Sequence, residues 1–407
     1  MKKFGYIVLY FLSILALSWF LPWLYALVSS SSSREPFASF SPVAGQWVLS
    51  VNDDSGNTDI YTLDSLGIRD RTFTKTQRDS LLPQLYYKDL LAKERLPDSI
   101  ATREVTLPLL RHAEFAFTSN RRDINKVLPQ VYMMMESMPE RADLEDPDHV
   151  FRFRDGRMEF IRMSDNKVNE NRTRRFTDAM NAAGFVMPAS DASANITARK
   201  LYDEGYLMVD AVGKVFHVKQ RAGRPYVTAV RLPNGVKGEK VFIFENTDER
   251  ILGFMIDSDN IPYFILKDGL KAVRLGIGKV NSSTDRINIM GNLFNIVFRV
   301  ASDSATVWSA VDADTFETLG RFSYSTVSDN LPASYIFPYR LNFNSSNDSL
   351  AYPRISGFSL NVIWLNVGLA IVAFIILRRV NRPRRIVLSC LTIIFGIYIF
   401  APLIFIK

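Results

Sequence analysis

The sequence predicts a membrane-anchored α+β protein, in which a β-rich extracytoplasmic domain with propeller-like repeats and a helical insertion is joined to three transmembrane helices. Three observations support this fold class. Long apolar runs without acidic residues lie at both ends of the 407-residue chain. Basic residues flank these runs. Strand–turn–strand patterns recur at a regular spacing between them.

The first apolar run covers residues 6–28 and can span a bilayer about 30 Å thick at about 1.5 Å per residue. Lys2 and Lys3 precede it, as they would precede either a retained anchor or a cleaved signal peptide. The run is longer than the roughly 7–15 apolar residues of a signal peptide, and Trp19 and Trp23 resemble an aromatic belt. We therefore favour an anchor, and both interpretations export the domain that follows.

The second and third apolar runs, 355–377 and 386–406, are separated by a short loop with five arginines. Under the positive-inside rule this loop is cytoplasmic, the N-terminus lies on the same side, and the long segment between is outside. The bases that set this topology are Lys2, Lys3, Arg378, Arg379, Arg382, Arg384 and Arg385.

The second run also contains residues that favour helix packing in lipid. Asn361 and Asn366 are amides in an apolar segment, and Gly368 permits close approach of another helix. Their partner is either the third run or a membrane helix of a second protein. No charged residue lies within the runs, so we expect no ion pathway through them.

The net charge of +7 does not indicate nucleic-acid binding. Eight of the 49 lysines and arginines lie in the flanks of the apolar runs, which contain no acidic residue. The remaining 41 lysines and arginines nearly equal the 42 Asp and Glu residues in number, so the outer domain is close to neutral. The basic excess is therefore a topology signal.

Cys390, in the third run, is the only cysteine, so no intramolecular disulfide can form. An exported domain without disulfides must be stabilised by its hydrophobic core. The absence of cysteines from the exported domain favours a location in a bacterial envelope. We expect a multi-pass protein of the inner membrane, with the N-terminus in the cytoplasm and the main domain in the periplasm.

The predicted domains are an anchor and linker, a β-rich domain and a C-terminal transmembrane hairpin, at residues 1–33, 34–355 and 356–407. Near the start of the β-rich domain, segments 47–51 and 59–63 flank a turn rich in Asp and Gly and predict a hairpin. Leucines and tyrosines recur at helical spacing over 76–93 despite Pro83, which predicts a helical insertion at about 76–138.

Strand patterns dominate from residue 150 onward. Segments 150–154 and 158–161 predict a hairpin, and 176–185 predicts a short helix. Repeat-like β units occupy 200–325, and equivalent positions fall at Leu207, Phe254 and Phe298. Their steps of 47 and 44 residues resemble the pitch of propeller blades, about 40 to 50 residues. Ordinary β-meanders would show the same hairpins, so the sequence leaves both architectures open.

No catalytic, cofactor-binding or metal-binding residue is predicted. His112, His149 and His217 are too scattered for a zinc motif, and no nucleophile elbow or phosphate loop occurs. The acidic residues between 136 and 148 match no calcium loop and are interpreted as solvated. Seven arginines between 152 and 175 are either an exposed sheet face or a site for anionic ligands. Turn chemistry accounts for Asp257, Asp259 and Asp268.

Five motifs spread over most of the chain carry a resemblance to a known family: Leu21-Pro22-Trp23-Leu24-Tyr25, Leu82-Pro83-Gln84-Leu85-Tyr86-Tyr87, Asp123-Ile124-Asn125, Tyr202-Asp203-Glu204-Gly205-Tyr206 and Gly223-Arg224-Pro225. The chain resembles an uncharacterised family of bacterial envelope proteins, defined only as a domain of unknown function. This resemblance implies an inner-membrane protein that is accompanied by components of ATP-driven transporters. It assigns no functional residue.

Together these observations favour a non-catalytic membrane subunit whose outer domain binds a partner or ligand beside an ABC-type transporter. A membrane-tethered sensor or ligand receptor is the alternative, although its cytoplasmic parts would be only a short tail and the arginine loop. An envelope enzyme with a propeller-type pocket is a further alternative. A histidine with a carboxylate at the mouth of a pocket would distinguish it.

Overall fold

The computed structural model describes residues 2–29, 35–52, 55–64, 66–125, 129, 131–139, 143–325, 331–345, 348 and 350–405. The chain forms two compact units. Residues Glu35–Thr326 form the β-rich unit. The terminal unit combines Met1–Arg34, which contains helix α1 (Lys2–Ser29), with Val327–Lys407.

The β-rich unit begins with sheet 1, a meander of four antiparallel strands. These are β1 (Phe37–Phe40), β2 (Trp47–Asn52), β3 (Thr58–Leu63) and β4 (Arg69–Thr72). The pairing of β2 with β3 confirms the hairpin predicted there.

An insertion of mixed structure follows sheet 1. Its elements are α2 (Lys75–Leu81), α3 (Pro83–Ala92), β5 (Ser99–Ile100), β6 (Arg103–Glu104), α4 (Leu107–Ala113), β7 (Phe115–Ser119) and α5 (Arg121–Ile124). The predicted helix over 76–93 is divided, because Pro83 lacks a backbone donor and starts α3 at its first position. The segment predicted as a helical insertion also contains strands, since β7 pairs with a strand of the last sheet.

Four more sheets complete the unit. Sheet 2 contains β8 (Tyr132–Met133), β9 (His149–Arg154), β10 (Arg157–Arg162) and β11 (Lys167–Val168), and helix α6 (Glu170–Ala182) follows it. Sheet 3 contains β12 (Asp191–Ser193), β13 (Tyr206–Val209), β14 (Val215–Arg221) and β15 (Arg224–Ala229). Sheet 4 contains β16 (Gly238–Ile243), β17 (Ile251–Asp257), β18 (Pro262–Leu266) and β19 (Lys271–Arg274), with a 3₁₀ turn at Asp268–Leu270. Sheet 5 contains β20 (Arg286–Gly291), β21 (Asn295–Ala301), β22 (Ala305–Asp312) and β23 (Thr318–Ser325), and β7 extends it beside β20.

The predicted hairpin of β9 and β10 is confirmed, but α6 begins six residues before the predicted helix. Its start is set by Asn169, whose side chain accepts a hydrogen bond from the backbone N–H of Arg172 at 3.1 Å. The three predicted repeat units correspond to sheets 3, 4 and 5, and each has one strand more than predicted, apart from β7 in sheet 5. Leu207, Phe254 and Phe298 are fully buried on the second strands of sheets 3, 4 and 5.

The five sheets pack face to face in the series 1–5–4–3–2, and each neighbouring pair shares a hydrophobic core. Second strands alternate between two cores, as Leu207 packs towards sheet 4 whereas Met208 packs towards sheet 2. Sheets 3, 4 and 5, each with a core on both faces, resemble propeller blades.

The terminal unit contains α7 (Leu331–Ile336), β24 (Arg340–Asn342), β25 (Arg354–Ser356), α8 (Ile363–Ile376), a 3₁₀ turn (Leu377–Arg379), α9 (Arg382–Phe395) and α10 (Ile397–Phe405). Ala333 and Phe337 pack with Tyr398, which places the segment after residue 326 in this unit. The β-rich unit therefore ends before the predicted boundary at residue 355.

Among the described residues, one helix is long and apolar enough to cross a membrane: Val8–Ser29, with a mean hydropathy of 1.9. A membrane anchor and a signal sequence both have these properties. The second and third predicted transmembrane helices do not form single helices of this length among the described residues. The second apolar run starts as a strand and a turn, so α8 has 14 residues. In the third, Gly396 separates α9 from α10 with a φ of +55°.

Candidate functional site

A charged pocket of the β-rich unit has a volume of about 730 Å³ and lies where α4 and the β5–β6 hairpin meet the loops of sheets 4 and 5. The loop between β16 and β17 contributes four consecutive residues, from Thr247 to Arg250. The remaining lining residues are Arg103, Glu104, Leu109, His112, Ala113, Leu293 and Asp314. We call this cavity the charged pocket.

Arg103 is held rigidly at one wall of the charged pocket. Its guanidinium donates to the backbone oxygen of Leu293 at 2.6 Å and to the carboxylate of Asp312 at 3.0 Å. It also lies 2.9 Å from the carboxylate of Asp314. Burial alone would raise the pKa of Asp312, but hydrogen bonds from the backbone of Thr315 and Asp314, together with Arg103, lower it. Asp312 therefore stays ionised.

Arg250 forms the opposite wall. Its guanidinium donates to Asp248 at 2.8 Å and to Asp314 at 2.7 Å. Hydrogen bonding to Asp248 raises the pKa of Arg250, and the same contacts outweigh burial and lower the pKa of Asp248. Asp314 thus bridges both arginines, and the walls consist of charges in fixed geometry.

A buried ionic cluster lies on the other side of the same loop. Lys200 donates to Asp203 at 2.6 Å and to Glu245 at 2.7 Å, and these three side chains are at most 7% exposed. Glu245 also accepts from the backbone N–H of Glu204 at 2.8 Å. Burial is the largest influence on Glu245 and raises its pKa despite these contacts.

Glu204 is the second carboxylate centre of this cluster. It accepts from Lys219 at 2.6 Å and lies 2.8 Å from Lys267 and 3.4 Å from His217. Burial would raise the pKa of Glu204, but His217 and the two lysines hold it far below the usual range. Lys267 continues to Glu249 on the rim of the charged pocket, so cluster and pocket form one network.

The motif over residues 202–206 builds this cluster. The hydroxyl of Tyr202 donates to the backbone oxygen of Asn246 at 2.6 Å and so fixes the loop beside the charged pocket. Asp203 accepts from Ser137 at 2.5 Å. Gly205 has a φ of +66°, and a Cβ there would lie 2.5 Å from the Cβ of Lys219, so glycine is required. The motif is therefore structural support for the pocket.

The three histidines lie in different surroundings. His112 is exposed and lines the charged pocket. His217 is buried, and its Nε2 lies 2.7 Å from the backbone oxygen of Glu204. His149 is buried beside Asp148 and Asn169. Among the described residues, no group of three or more His, Cys, Asp or Glu side chains could hold a metal ion.

The acidic and basic stretches near the start of sheet 2 have structural contacts. Glu136 accepts from the backbone N–H groups of Ala222 and Gly223 at 2.7 and 2.8 Å, which caps the β14–β15 turn. On the arginine stretch, ion pairs join Arg152 to Glu159, Arg157 to Glu170 and Arg162 to Asp165. Arg172 is largely buried over the ring of Phe160.

Turn chemistry accounts for Asp257. Its Oδ1 accepts from the backbone N–H groups of Asp259 and Ile261 at 2.9 and 2.8 Å. Asp210, 47 residues earlier, caps the equivalent turn of sheet 3 through Val212 and Lys214. The repeat therefore includes its turns.

In the terminal unit, Asn366 is 1% exposed and donates to the backbone oxygen of Ile393 at 2.9 Å, which joins α8 to α9. Asn361 is exposed before α8 begins. Gly368 is exposed, and a Cβ added there would meet no atom of another element within 4 Å. Lys2 and Lys3 begin α1. The loop arginines lie in the 3₁₀ turn, Arg378 and Arg379, and in the first turn of α9, Arg382, Arg384 and Arg385.

Sequence reasoning did not find Arg103, Arg250 or the ionic cluster. Their charges are scattered over 200 residues and belong to no spacing pattern, because loops from different sheets bring them together. One signal was present, since the motif at 202–206 contains Asp203 and Glu204 between strands.

Comparison with known proteins gives one family. No curated protein matches the chain. Among solved structures, the WD40 domain of SCAP from fission yeast aligns over 79% of this chain and 79% of that chain, with 7% identity and a TM-score of 0.28, and we base no argument on it. The family model "Domain of unknown function (DUF4857)" matches residues 37–311, which is more than half of the chain. The chain therefore belongs to the DUF4857 family.

Proposed function

We propose that this protein is a non-catalytic membrane subunit whose extracytoplasmic β-rich domain binds a partner or ligand at the charged pocket, beside an ABC-type transporter of a bacterial inner membrane. The observation that carries the proposal is the fixed geometry of that pocket. Arg103 and Arg250 share Asp314, and the ionic cluster supports the adjoining loop from behind.

Such a pocket suits recognition. Preorganised charges of both signs give specificity and orientation, because a partner finds them already paired and aligned. Glu249, His112 and Thr247 add exposed polar groups at the rim. A partner segment that carries both a cation and an anion complements this surface.

Membrane attachment is the second part of the proposal. Helix α1 can cross a bilayer, and α8, α9 and α10 carry exposed large apolar side chains that suit a lipid environment. The arginines between α8 and α9 would lie in the cytoplasm under the positive-inside rule. The association with a transporter rests on the family resemblance, and a tethered sensor would need the same contacts with partner helices.

Affinity purification of the tagged chain in mild detergent tests the proposal. We expect transporter ATPase or permease components to co-purify above the level of an unrelated membrane protein. Arg250→Gln should reduce that recovery, whereas Arg274→Gln, an exposed arginine on β19, should not. Recovery of no transporter component with the unaltered chain would refute the association.

One observation favours a second candidate function, an envelope enzyme. His112 and Asp248 both line the charged pocket. A histidine with a carboxylate is the arrangement expected of a hydrolase. However, Asp248 is held by Arg250. Hydrolysis of ester or peptide substrates by the purified chain, abolished by His112→Ala, would support the enzyme.

A further inference from the structure

A second cavity of the β-rich unit, separate from the charged pocket, lies between sheet 5 and the start of sheet 1. Its volume is about 470 Å³. The residues that matter for its chemistry are Phe37, Ala116, Arg286, Asn288, Met290 and Arg299. We call it the sheet 5 cavity.

One wall of the sheet 5 cavity is a row of polar side chains that the strand register places side by side. Thr118 of β7 lies opposite Asn288 of β20, and Asn288 lies opposite Arg299 of β21. The amide of Asn288 donates to Thr118 at 2.8 Å and accepts from Arg299 at 3.1 Å. Because paired residues share a face of the sheet, the row is fixed by the backbone.

Arg299 is oriented by a carboxylate. Its Nε donates to Glu35 at 2.8 Å, and Glu35 also accepts from one terminal nitrogen of the same guanidinium. A guanidinium has five N–H groups, and these contacts with Asn288 and Glu35 use three of them. Two N–H groups therefore remain to donate to a ligand.

Arg286 provides the cation at the mouth of the sheet 5 cavity. It lies two residues before Asn288 on β20, so both side chains project from the same face. Arg286 is exposed, and it has no ion pair or hydrogen bond with any residue in the part of the chain that the structure describes. With Arg299 and Glu35 this leaves one net positive charge at the cavity.

The rest of the cavity surface is apolar. Phe37 is 44% exposed, which is unusual for an aromatic side chain at the start of a core strand. Met290 is half-buried on β20 and lies opposite the exposed Ala116 of β7, and both extend this surface on the same face of the sheet as Asn288. A ligand that places a hydrocarbon body here gains burial at about 25 cal/mol for each Å² covered.

We propose that the sheet 5 cavity binds an amphiphilic monoanion: a carboxylate that pairs with Arg286 and accepts from the remaining N–H groups of Arg299, on an unbranched hydrocarbon chain that covers Phe37, Ala116 and Met290. Charge complementarity selects this ligand class. A neutral chain leaves Arg286 unpaired, and a dianion exceeds the single net charge. This site goes beyond the partner binding proposed above and does not depend on it.

Isothermal titration of the full chain in lipid nanodiscs tests the site, with decanoate as the probe and empty nanodiscs as the blank. We expect decanoate to bind, and Arg286→Gln to weaken binding by about tenfold or more, since a charge-assisted hydrogen bond is lost. Arg274→Gln is the matched control and should bind like the unaltered chain.

Two further probes separate the contributions of charge and chain. Decanol keeps the hydrocarbon and removes the charge, and butyrate keeps the charge and shortens the hydrocarbon. Both should bind at least about tenfold more weakly than decanoate. The proposal is overturned if decanoate shows no heat above the blank, if decanol binds equally well, or if Arg286→Gln binds like the unaltered chain.

Discussion

Glu204 is the residue on which the buried ionic cluster depends most. Its side chain is 5% exposed and contacts His217, Lys219 and Lys267. Removing the charge of Glu204 leaves the largely buried Lys219 without a counter-charge, which is costly. The ionic cluster therefore stabilises the fold, and it makes the fold sensitive to substitution of Glu204.

We expect Glu204→Gln to lower the free energy of unfolding by about 3 kcal/mol. Glu249→Gln is a matched control, because Glu249 contacts the same Lys267 but is 55% exposed. We expect the control to cost less than about 1 kcal/mol. Chemical denaturation of the two variants measures the difference, and equal losses would contradict this account of the cluster.

The pH dependence of that loss has a defined sign. The pKa of Glu204 is lowered in the folded state, so its contribution is fully present above its ordinary value of about 4.5 and disappears as the pH falls. We expect the gap between the unaltered chain and Glu204→Gln to be constant from pH 8 to about pH 5 and to shrink below. Denaturation at a series of pH values measures this gap, and a gap that widens with acid would be inconsistent.

Gly396 illustrates a residue whose identity follows from one contact. A Cβ at this position would lie 2.2 Å from Oδ1 of Asn366, and its φ of +55° with a ψ of −131° is a conformation for glycine. We expect Gly396→Ala to destabilise the terminal unit by about 1–3 kcal/mol. In a chain that already carries Asn366→Ala, Gly396→Ala should cause a smaller further loss of stability, because the clash with the Asn366 side chain is absent.

Gly368→Ala is the control for that experiment, since its Cβ would meet no neighbour and alanine favours a helix by about 1 kcal/mol. Thermal unfolding in detergent compares the variants. If Gly396→Ala and Gly368→Ala unfold at the same temperature, the break between α9 and α10 does not require glycine at position 396.

Single residues could be predicted from the sequence only where local chemistry decides them. Asp257 could be interpreted as a turn residue because it caps N–H groups within four positions of itself. Glu204 could not be recognised as the centre of a cluster, because Lys267 is 63 residues away and reaches it only through the packing of sheets 3 and 4. Long-range partners leave no spacing in the sequence.

At the scale of elements, α6 takes the place of a full outer strand beside β10. Strand β11 pairs with only the last two residues of β10. The hydroxyls of Thr173 and Thr177, one helical turn apart, accept from the backbone N–H groups of Phe160 and Met158 at 2.9 and 3.1 Å. Helical spacing thus satisfies the donors of alternate strand residues.

We expect Thr173→Val, which preserves shape but removes the acceptor, to cost about 1–3 kcal/mol, because the N–H of Phe160 then stays buried without a partner. Thr177→Val should cost less, since Thr177 is only half-buried and water can replace it. Unfolding in denaturant measures both. A larger loss for Thr177→Val would contradict the role assigned to burial.

The elements that could be predicted are those with strong patterns. The second and third strands of each repeat are apolar and continuous, as in Ile251–Asp257. The first strand of sheet 3 could not be found, because β12 has three residues and reads Asp-Ala-Ser. Helix α6 was predicted short because its first turns are polar and exposed, and only its cap at Asn169 marks the start.

At the scale of the whole molecule, sheets 1 to 5 form a series within the β-rich unit, and each pair of neighbours shares one core. Each of sheets 3, 4 and 5 contributes similar apolar strands to two cores, so the repeat is visible in the sequence, although β12 at the start of sheet 3 is not. The charged pocket belongs to no single repeat, since sheets 4 and 5 and the insertion each contribute residues to it.

The central claim is that the β-rich unit lies on the outer side of the cytoplasmic membrane and that the arginine loop lies in the cytoplasm. Accessibility of single cysteines tests it most directly. In a chain with Cys390→Ser, Lys214→Cys places a thiol on an exposed turn of sheet 3, and Asn381→Cys places one in the loop while keeping all five arginines. A membrane-impermeant maleimide should label Lys214→Cys in intact spheroplasts and Asn381→Cys only after permeabilisation. Labelling of Asn381→Cys, but not of Lys214→Cys, in intact spheroplasts would contradict the claim.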